Sequence, residues 1–346
     1  MFLVYNLVLF FSIFICFWCS SWLVVWVLIE LVTVMTILII SHQNTPRAIE
    51  SASKYFVVQA VASSFLLMGV VSHYLMSGGF NLFSSYSVLS YSLVLVGVFI
   101  KVAVLPSPFW FVDVVSGVNL ARGFYVVVSS KVVPVYLFVS LAGGNFLNSF
   151  CVVGLFSVFL GSVLGVNQVS IRKIVAFSSI AHMGWMVSCF STLPTWHCFS
   201  LFFCYVLMLL PLFFIAAVCS VEYIFKQKNT QYFSSVGVLV VLSLLSLGGL
   251  PPLVGFFYKW VMFFGLVGEK LFLVSGILVV LSLISLFYYL GVCYNAFSVY
   301  WAVPNTFSVL KFLFPQFSSF FVMVLCVVSV IGFLVFLGPL ISVWLV

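Results

Sequence analysis

Three lysines and one glutamate interrupt long apolar runs, where charged side chains are rare. The lysines are Lys101, Lys131 and Lys259. The acid is Glu30, and all four lie far from the ends of their runs. In a lipid bilayer, each charge costs about 2.5–3.5 kcal/mol to insert unless it is paired, hydrated or neutral. Burial disfavours a charged form and an opposite charge favours it, so these residue types can take up, release and relay protons.

Prolines near these lysines should leave backbone carbonyls without a helical partner. A proline lacks the N–H group that would donate to the carbonyl four residues earlier. Loose carbonyls next to ionisable groups attract water, which extends a polar path. The carbonyls freed in this way are those of Val102 beside Lys101, Ser130 beside Lys131, and Leu247 and Gly248 before Lys259.

A histidine adds a further titratable group at apolar depth. His182 lies in the middle of the run FSSIAHMGW, and Ser178 and Ser179 share its helix face because they precede it by four and three residues. Histidine changes its charge near neutral pH, which suits a proton relay. The alternative for His182 is a buried histidine that only packs. The alternative for the charged residues is a buried Glu–Lys pair that only fixes helix packing.

The elements that position these residues must be transmembrane helices. Hydrophobic residues make up 65% of the 346-residue chain and charged residues only 5%, against roughly 25% charged in a typical soluble domain. Too little polar surface is left to solvate a soluble fold, and widely spaced cations do not form a nucleic-acid-binding surface. We therefore predict an all-α, polytopic transmembrane protein without a nucleic-acid partner.

Interruptions by charge, Pro, Asn and Gly divide the chain into eleven candidate spans, each long enough for a hydrocarbon core of about 30 Å. We predict these spans at 2–19, 22–41, 54–75, 87–112, 122–142, 150–166, 171–190, 197–222, 236–267, 271–300 and 318–345.

The fourth and ninth spans carry prolines at apolar depth, which predicts broken helices five spans apart. An odd number of helices per unit would turn the second unit upside down, as in many secondary transporters. We predict one membrane domain over 1–346, with a first half-channel repeat at 1–142, a second at 150–300 and an extra helix at 318–345. In this pairing Glu30 corresponds to His182, and Lys101 to Lys259.

The loop cations predict the orientation of the chain. The even-numbered connections hold eight cations and the odd ones hold only Lys270. Positive loops stay on the cytoplasm-like side, so the N-terminus and the even loops should face that side. The eight are Arg47, Lys54, Arg122, Arg172, Lys173, Lys226, Lys228 and Lys311.

The cysteines and tyrosines do not suggest a redox centre. Cys16 and Cys19 have C-x-x-C spacing, but no second Cys or His pair lies nearby, so small apolar packing is the favoured interpretation. We predict no metal and no bound cofactor in this chain. Tyr288 and Tyr289 are interpreted as interfacial aromatics rather than as part of a quinone pocket.

Four segments together resemble a known family. They are NTPRAIESASKYFVVQAVASSFLLMG, KVAVLPSPFWFVDVVSG, GVNQVSIRKIVAFSSIAHMGWM and LLSLGGLPPLVGFFYKW. In this order they resemble subunit 2 of mitochondrial NADH:ubiquinone oxidoreductase, respiratory complex I, an antiporter-like membrane-arm subunit. Two positions depart from the usual family pattern: Pro108 replaces a histidine, and Asp113 replaces a glutamate.

The resemblance implies a role for each buried residue. Glu30 would be the acidic partner of Lys101, Lys131 the central half-channel lysine, His182 a bridging relay and Lys259 the lysine of the second broken helix. It also implies a hetero-oligomer with other membrane-arm subunits, located in the inner mitochondrial membrane with the even loops in the matrix.

In that assembly, NADH-to-ubiquinone electron transfer elsewhere would drive protons through this chain. Two alternatives stay open from the residues alone. One is a free-standing cation/proton antiporter subunit, and the other is a structural membrane subunit that conducts nothing.

Overall fold

The computed structural model describes residues 2–42, 44–142, 147–219, 235–251 and 253–301. These ranges are almost wholly helical, with a single isolated bridge between Ser21 and Asn81. The helices are α1 Phe2–Cys16, α2 Trp22–Ser41, α3 Pro46–Ser77, α4 Val88–Val102, α5 Phe109–Gly117, α6 Leu120–Phe124, a π-helical segment Tyr125–Ser129, α7 Ser130–Leu141, α8 Leu147–Val166, α9 Ile171–Phe190, α10 Thr195–Cys219, α11 Ser235–Gly248, α12 Val254–Gly268 and α13 Phe272–Trp301.

The helices match the composition of a membrane protein. Within the described ranges, seven helical segments are long and apolar enough to cross a bilayer, and three more are shorter apolar helices. The prediction of an all-helical polytopic membrane protein is therefore confirmed. The predicted span at 318–345, and the cations Lys226, Lys228 and Lys311, lie outside the described residues.

The third span begins earlier than predicted, at Pro46 rather than at residue 54. Thr45 caps the helix because its side chain accepts a hydrogen bond from the backbone N–H of Ala48 at 3.3 Å, and proline suits the first helical position. Glu50 and Lys54 consequently lie on one exposed helix face, where they form an ion pair at 2.8 Å. The charges that suggested a loop belong to the first turns of α3.

The predicted breaks are present in both the fourth and the ninth spans. α4 ends at Val102, and α5 begins only at Phe109. The chain turns out of α4 through Ala103, which takes a left-handed conformation with φ 65°. α11 ends at Gly248, and Gly249 adopts a φ of 84° that glycine tolerates without strain. The assignment of the two halves as inverted repeats stays a prediction.

Small residues bring α3 and α4 into close contact. A Cβ atom added to Gly97 would lie 2.8 Å from the carbonyl oxygen of Ala62, and one added to Gly69 would lie 2.8 Å from the backbone nitrogen of Val94. In lipid, such small residues let helix backbones approach closely and gain dispersion energy. This contact fixes the position of α4, the helix that carries Lys101.

A close contact between α11 and α12 lies beside the second break. A Cβ atom on Gly255 would overlap the carbonyl group of Ser246, which is backbone and cannot move aside cheaply. We expect Gly255→Ala to lower the free energy of unfolding by about 1–3 kcal/mol. Thermal unfolding of the purified protein measures the change.

Gly276→Ala is the matched control, because a Cβ atom there meets nothing within 4 Å. It should leave stability unchanged or raise it by about 0.5–1 kcal/mol through helix propensity. Equal melting temperatures for the two variants would contradict the predicted clash.

The chain divides into two compact units. The first contains 1–157 and 179–191, and the second contains 158–178 and the residues from Thr192 onward. Of the residues singled out above, Glu30, Lys101, Lys131 and His182 lie in the first unit, and Lys259 lies in the second.

Candidate functional site

Glu30 and Lys101 form an ion pair at membrane depth. The Lys101 Nζ atom lies 3.3 Å from Glu30 Oε1, so the structure brings α2 and the end of α4 together through this contact. The lysine side chain is only 1% exposed, whereas that of Glu30 is 31% exposed. The acid is therefore the member of the pair that a neighbouring molecule can reach.

The break in α4 also favours a cation at this place. Lys101 lies in the last turn of α4, where unpaired carbonyl groups give a helix end a partial negative charge. A helix that continued through this segment would bury Lys101 away from such an end. The charge of Lys101 is thus stabilised both by the end of α4 and by the carboxylate of Glu30.

Lys131 lies on α7 and is completely buried, at 0% exposure. Its Nζ atom donates to the Ser179 hydroxyl at 3.4 Å and lies 4.1 Å from the centre of the Phe111 ring. The ring face attracts a cation, and the hydroxyl oxygen accepts a hydrogen bond from the ammonium group. Within the described ranges, no ion pair links this lysine to a carboxylate.

A π-helical segment, which the sequence does not predict, precedes Lys131. Residues Tyr125–Ser129 form this segment, which leads directly into α7. Ser129 donates to the carbonyl of Tyr125 at 2.5 Å, and Ser130 donates to that of Val126 at 2.6 Å. Single π-helical turns are frequent at functional sites. The hydroxyls of Ser129 and Ser130 therefore satisfy backbone carbonyls of this widened turn.

His182 lies on α9 and is buried, at 4% exposure. Ser178 and Ser179 are buried one turn before it, at 1% and 0%. The histidine and the serine that contacts Lys131 therefore lie on one helix within the first unit. The structure places His182 in the protein interior rather than facing lipid.

Lys259 lies on α12, directly after the second break. Its Nζ atom donates to the carbonyl oxygen of Gly248 at 2.8 Å. This carbonyl is one of those that Pro251 and Pro252 are expected to leave without a helical partner, and Lys259 supplies the missing donor. Lys259 itself is partly buried. Each half of the chain thus has a broken helix with a lysine beside the break. The partner of Lys101 is a carboxylate, and that of Lys259 is a backbone carbonyl.

The interpretation of Tyr288 and Tyr289 as interfacial aromatics is wrong. The two residues are 4% and 1% exposed, respectively. A Cβ atom on Gly165 would lie 2.9 Å from the Tyr288 ring, and one on Gly248 would lie 3.6 Å from that of Tyr289. Gly165 on α8 makes room for the Tyr288 ring, and the sequence alone does not reveal this contact.

The burial of Tyr55 is a second feature not predicted above. Tyr55 lies on α3 and is 0% exposed. Its ring lies 5.9 Å from that of Trp110. The available signal was a polar stripe on α3, where Ser51, Tyr55 and Gln59 recur at helical spacing and are all buried.

The described residues contain no group of three or more His, Cys, Asp or Glu side chains that could hold a metal ion. Cys16 is a buried free thiol, and Cys19 is partly buried and free. The side chains described above can form ion pairs and hydrogen bonds and can exchange protons.

The chain is similar to known proteins in sequence. A family model described as NADH:quinone oxidoreductase/Mrp antiporter, transmembrane, matches residues 19–285. The chain is 32% identical over 289 residues to NADH-ubiquinone oxidoreductase chain 2 of Polypterus ornatipinnis, covering 83% of each chain. It is 33% identical over 276 residues to the protein of that name from Patiria pectinifera, covering 80% of this chain and 78% of the other.

Solved structures show the same fold. A chain of respiratory complex I from Thermus thermophilus with bound aureothin superposes with a TM-score of 0.79 at 24% identity, covering 88% of this chain and 71% of that one. A chain of the Mrp complex from Dietzia sp. DQ12-45-1b gives a TM-score of 0.75 at 18% identity, covering 84% and 59%. At these identities the likeness concerns the fold alone.

Proposed function

This chain belongs to the NADH:quinone oxidoreductase/Mrp antiporter transmembrane family, and on that premise we propose that it translocates protons as an antiporter-like membrane-arm subunit of respiratory complex I. In this proposal, the electrons of the reaction pass from NADH to ubiquinone in other subunits. Its own residues take up, hold and pass on protons.

The observation that carries the proposal is the burial of Lys131. A lysine at 0% exposure, with a serine and an aromatic ring as its partners, is suited to exchanging a proton rather than holding a fixed charge. A purely structural role gives no reason to bury an ammonium group in this way, because an apolar residue of the same size would pack there at lower cost.

The Glu30–Lys101 pair supplies the control element. Because Glu30 is 31% exposed while Lys101 is 1% exposed, a neighbouring subunit can contact the acid and draw it away from the lysine. Making or breaking the pair changes the charge that Lys131 experiences and thereby its proton affinity. A proton released from Lys131 then passes by way of His182 towards Lys259.

The energies involved are compatible with electrostatic control. Moving one elementary charge against 100 mV requires about 2.3 kcal/mol. Breaking a buried ion pair changes the local energy by a similar or larger amount. Rearranging one pair per cycle can therefore drive one proton step.

The partners and location follow from the same proposal. The chain acts as one subunit of a hetero-oligomer with other membrane-arm subunits, surrounded by lipid, in the inner mitochondrial membrane. The N-terminus and the even-numbered loops, with their eight cations, face the matrix.

The proposal is tested by Lys259→Met in the assembled complex, in sealed membrane vesicles. Methionine keeps the side-chain length but cannot bind a proton, so NADH-driven proton uptake should fall while complex assembly stays intact. Lys270→Met is the matched control, because Lys270 is exposed in the loop after α12 and should be dispensable. Equal proton uptake in the two variants would contradict the role of Lys259.

The same vesicles distinguish the antiporter alternative, which the family description and the Mrp likeness keep in view. A free-standing antiporter exchanges Na⁺ or K⁺ for protons without NADH or quinone. Proton movement driven by a cation gradient alone, and lost in Lys259→Met, would replace the complex I assignment.

A further inference from the structure

The ring of Phe111 faces the ammonium group of Lys131. The Lys131 Nζ atom lies over the ring, 4.1 Å from its centroid. Both side chains are completely buried, at 0% exposure. Because solvent reaches neither group, the attraction between the cation and the negative face of the ring is at least about twice as strong as at an exposed site.

The ring interacts unequally with the two protonation states of Lys131. The ring quadrupole attracts an ammonium group, whereas a neutral amine at the same place gains only dispersion energy. The Ser179 hydroxyl, 3.4 Å from Nζ, can accept a hydrogen bond from either form, since both carry N–H groups. Of these two partners, the ring is therefore the one that favours the charged form.

The break in the fourth span determines where this ring lies. α4 ends at Val102, one residue after Lys101, and α5 begins at Phe109. The backbone N–H of Phe111 donates to the carbonyl of Pro108 at 3.2 Å, so the ring projects from the first turn of α5. The segment 101–111 thus carries the lysine of the ion pair at one end and the aromatic partner of Lys131 at the other.

Packing against α3 holds α5 and its ring in place. The rings of Trp110 and Phe111 lie edge to face, with centroids 5.7 Å apart and an interplanar angle of 88°. The Trp110 ring lies 5.9 Å from that of Tyr55 on α3. At the other end of α5, a Cβ atom on Gly117 would lie 2.9 Å from the Cβ atom of Ser51. Contacts at both ends of α5 therefore keep Phe111 against Lys131.

Few other charges compete with the ring for control of Lys131. The surrounding helices carry these ionisable groups in this part of the unit: His182 on α9, Tyr55 on α3, Glu30 on α2, Lys101 on α4 and Asp113 on α5. Glu30 is paired with Lys101, and Asp113 is exposed. The end of α1 meets α7 through Phe17, whose ring lies 5.1 Å from that of Tyr136, and α1 contains no charged residue.

We propose that Phe111 is a positioning residue of the proton path, whose ring stabilises the ammonium form of Lys131 and thereby sets the pH range in which this lysine binds and releases its proton. The inference rests on the proposed function and adds the group that adjusts its central lysine. No covalent bond of Phe111 changes, and the proton moves only onto and off Lys131 Nζ.

Phe111→Leu tests the proposal because it keeps an apolar side chain beside Trp110 and removes the ring. The ammonium form then loses its aromatic partner, so Lys131 gives up its proton at a lower pH. In the assembled complex, we expect the alkaline limb of the pH profile of NADH-driven proton uptake to move about one pH unit towards acid, a tenfold change in proton affinity. The initial rate of uptake by sealed vesicles, per amount of assembled complex, measures this limb.

Phe138→Leu is the matched control. Phe138 is likewise 0% exposed and lies two helical turns beyond Lys131 on α7, where its ring packs 5.1 Å from that of Phe99 and 6.1 Å from that of Phe150. This variant loses the same apolar area without touching a cation. It can lower the amount of assembled complex, but its pH profile should stay at the wild-type position.

Two further variants separate the ring face from packing. Phe111→Tyr retains a ring over the ammonium group and should keep the wild-type alkaline limb. Phe111→Met supplies a second side chain without a ring, with the flexibility to fill the space, and should shift the limb as Phe111→Leu does. It decides the question if Phe111→Leu does not assemble.

The outcomes separate this inference from the function on which it rests. An unshifted alkaline limb in the assembled Leu or Met variant of Phe111 overturns the role of the ring when Lys131→Met is impaired. An equal shift in Phe138→Leu, or in Phe111→Tyr, overturns it as well. Normal pumping by Lys131→Met itself overturns the proposed function.

Discussion

Lys131→Met is expected to remove most of the proton uptake driven by NADH in sealed vesicles. The variant keeps the packing volume of a side chain that is 0% exposed, but it has no group that exchanges a proton. Loss of a positioned proton-transfer group slows such a step by about 100-fold or more, so coupled NADH oxidation should fall at least about tenfold. Proton uptake and NADH oxidation are measured together with the amount of assembled complex.

Lys131→Arg is the control that separates charge from proton exchange. Arginine keeps a cation near the Phe111 ring and the Ser179 hydroxyl, but its guanidinium stays protonated in proteins. The prediction is that both variants fail to pump even where the complex assembles. Normal pumping by Lys131→Arg would mean that the site needs only a fixed charge.

Glu30→Gln is expected to reduce both assembly and pumping, since it leaves Lys101 buried without its acid. Breaking a buried pair typically destabilises a protein by about 3–5 kcal/mol, and the lower end applies here because the Glu30 side chain is 31% exposed. The yield and melting temperature of the complex measure the first effect, and proton uptake per NADH measures the second.

The double variant Glu30→Gln with Lys101→Met distinguishes the two effects. Removing both charges eliminates the uncompensated cation, so assembly should recover towards the wild-type level. Pumping should remain low, because the pair that controls Lys131 is gone. Recovery of both properties would show that the pair serves only packing.

Much of this architecture is predictable from one-dimensional features of the chain. The depth of Lys101, Lys131 and Lys259 follows from their distance to the ends of the apolar runs. The breaks in the fourth and ninth spans follow from proline, which cannot donate a backbone hydrogen bond wherever it lies. The start of α3 was misjudged because its first turns are charged, and only the capping contact of Thr45 shows that the helix already exists there.

What the chain alone does not reveal is which face of each helix meets protein. In water, an apolar stripe marks the buried side of a helix, but lipid tails are as apolar as the side chains that pack together. The burial of Tyr288 and Tyr289 therefore has no sequence signature. The apolar character of the spans and the helix breaks are local properties and can be inferred from the sequence. The partners of each buried polar group depend on helix rotation and packing, which tertiary contacts alone establish.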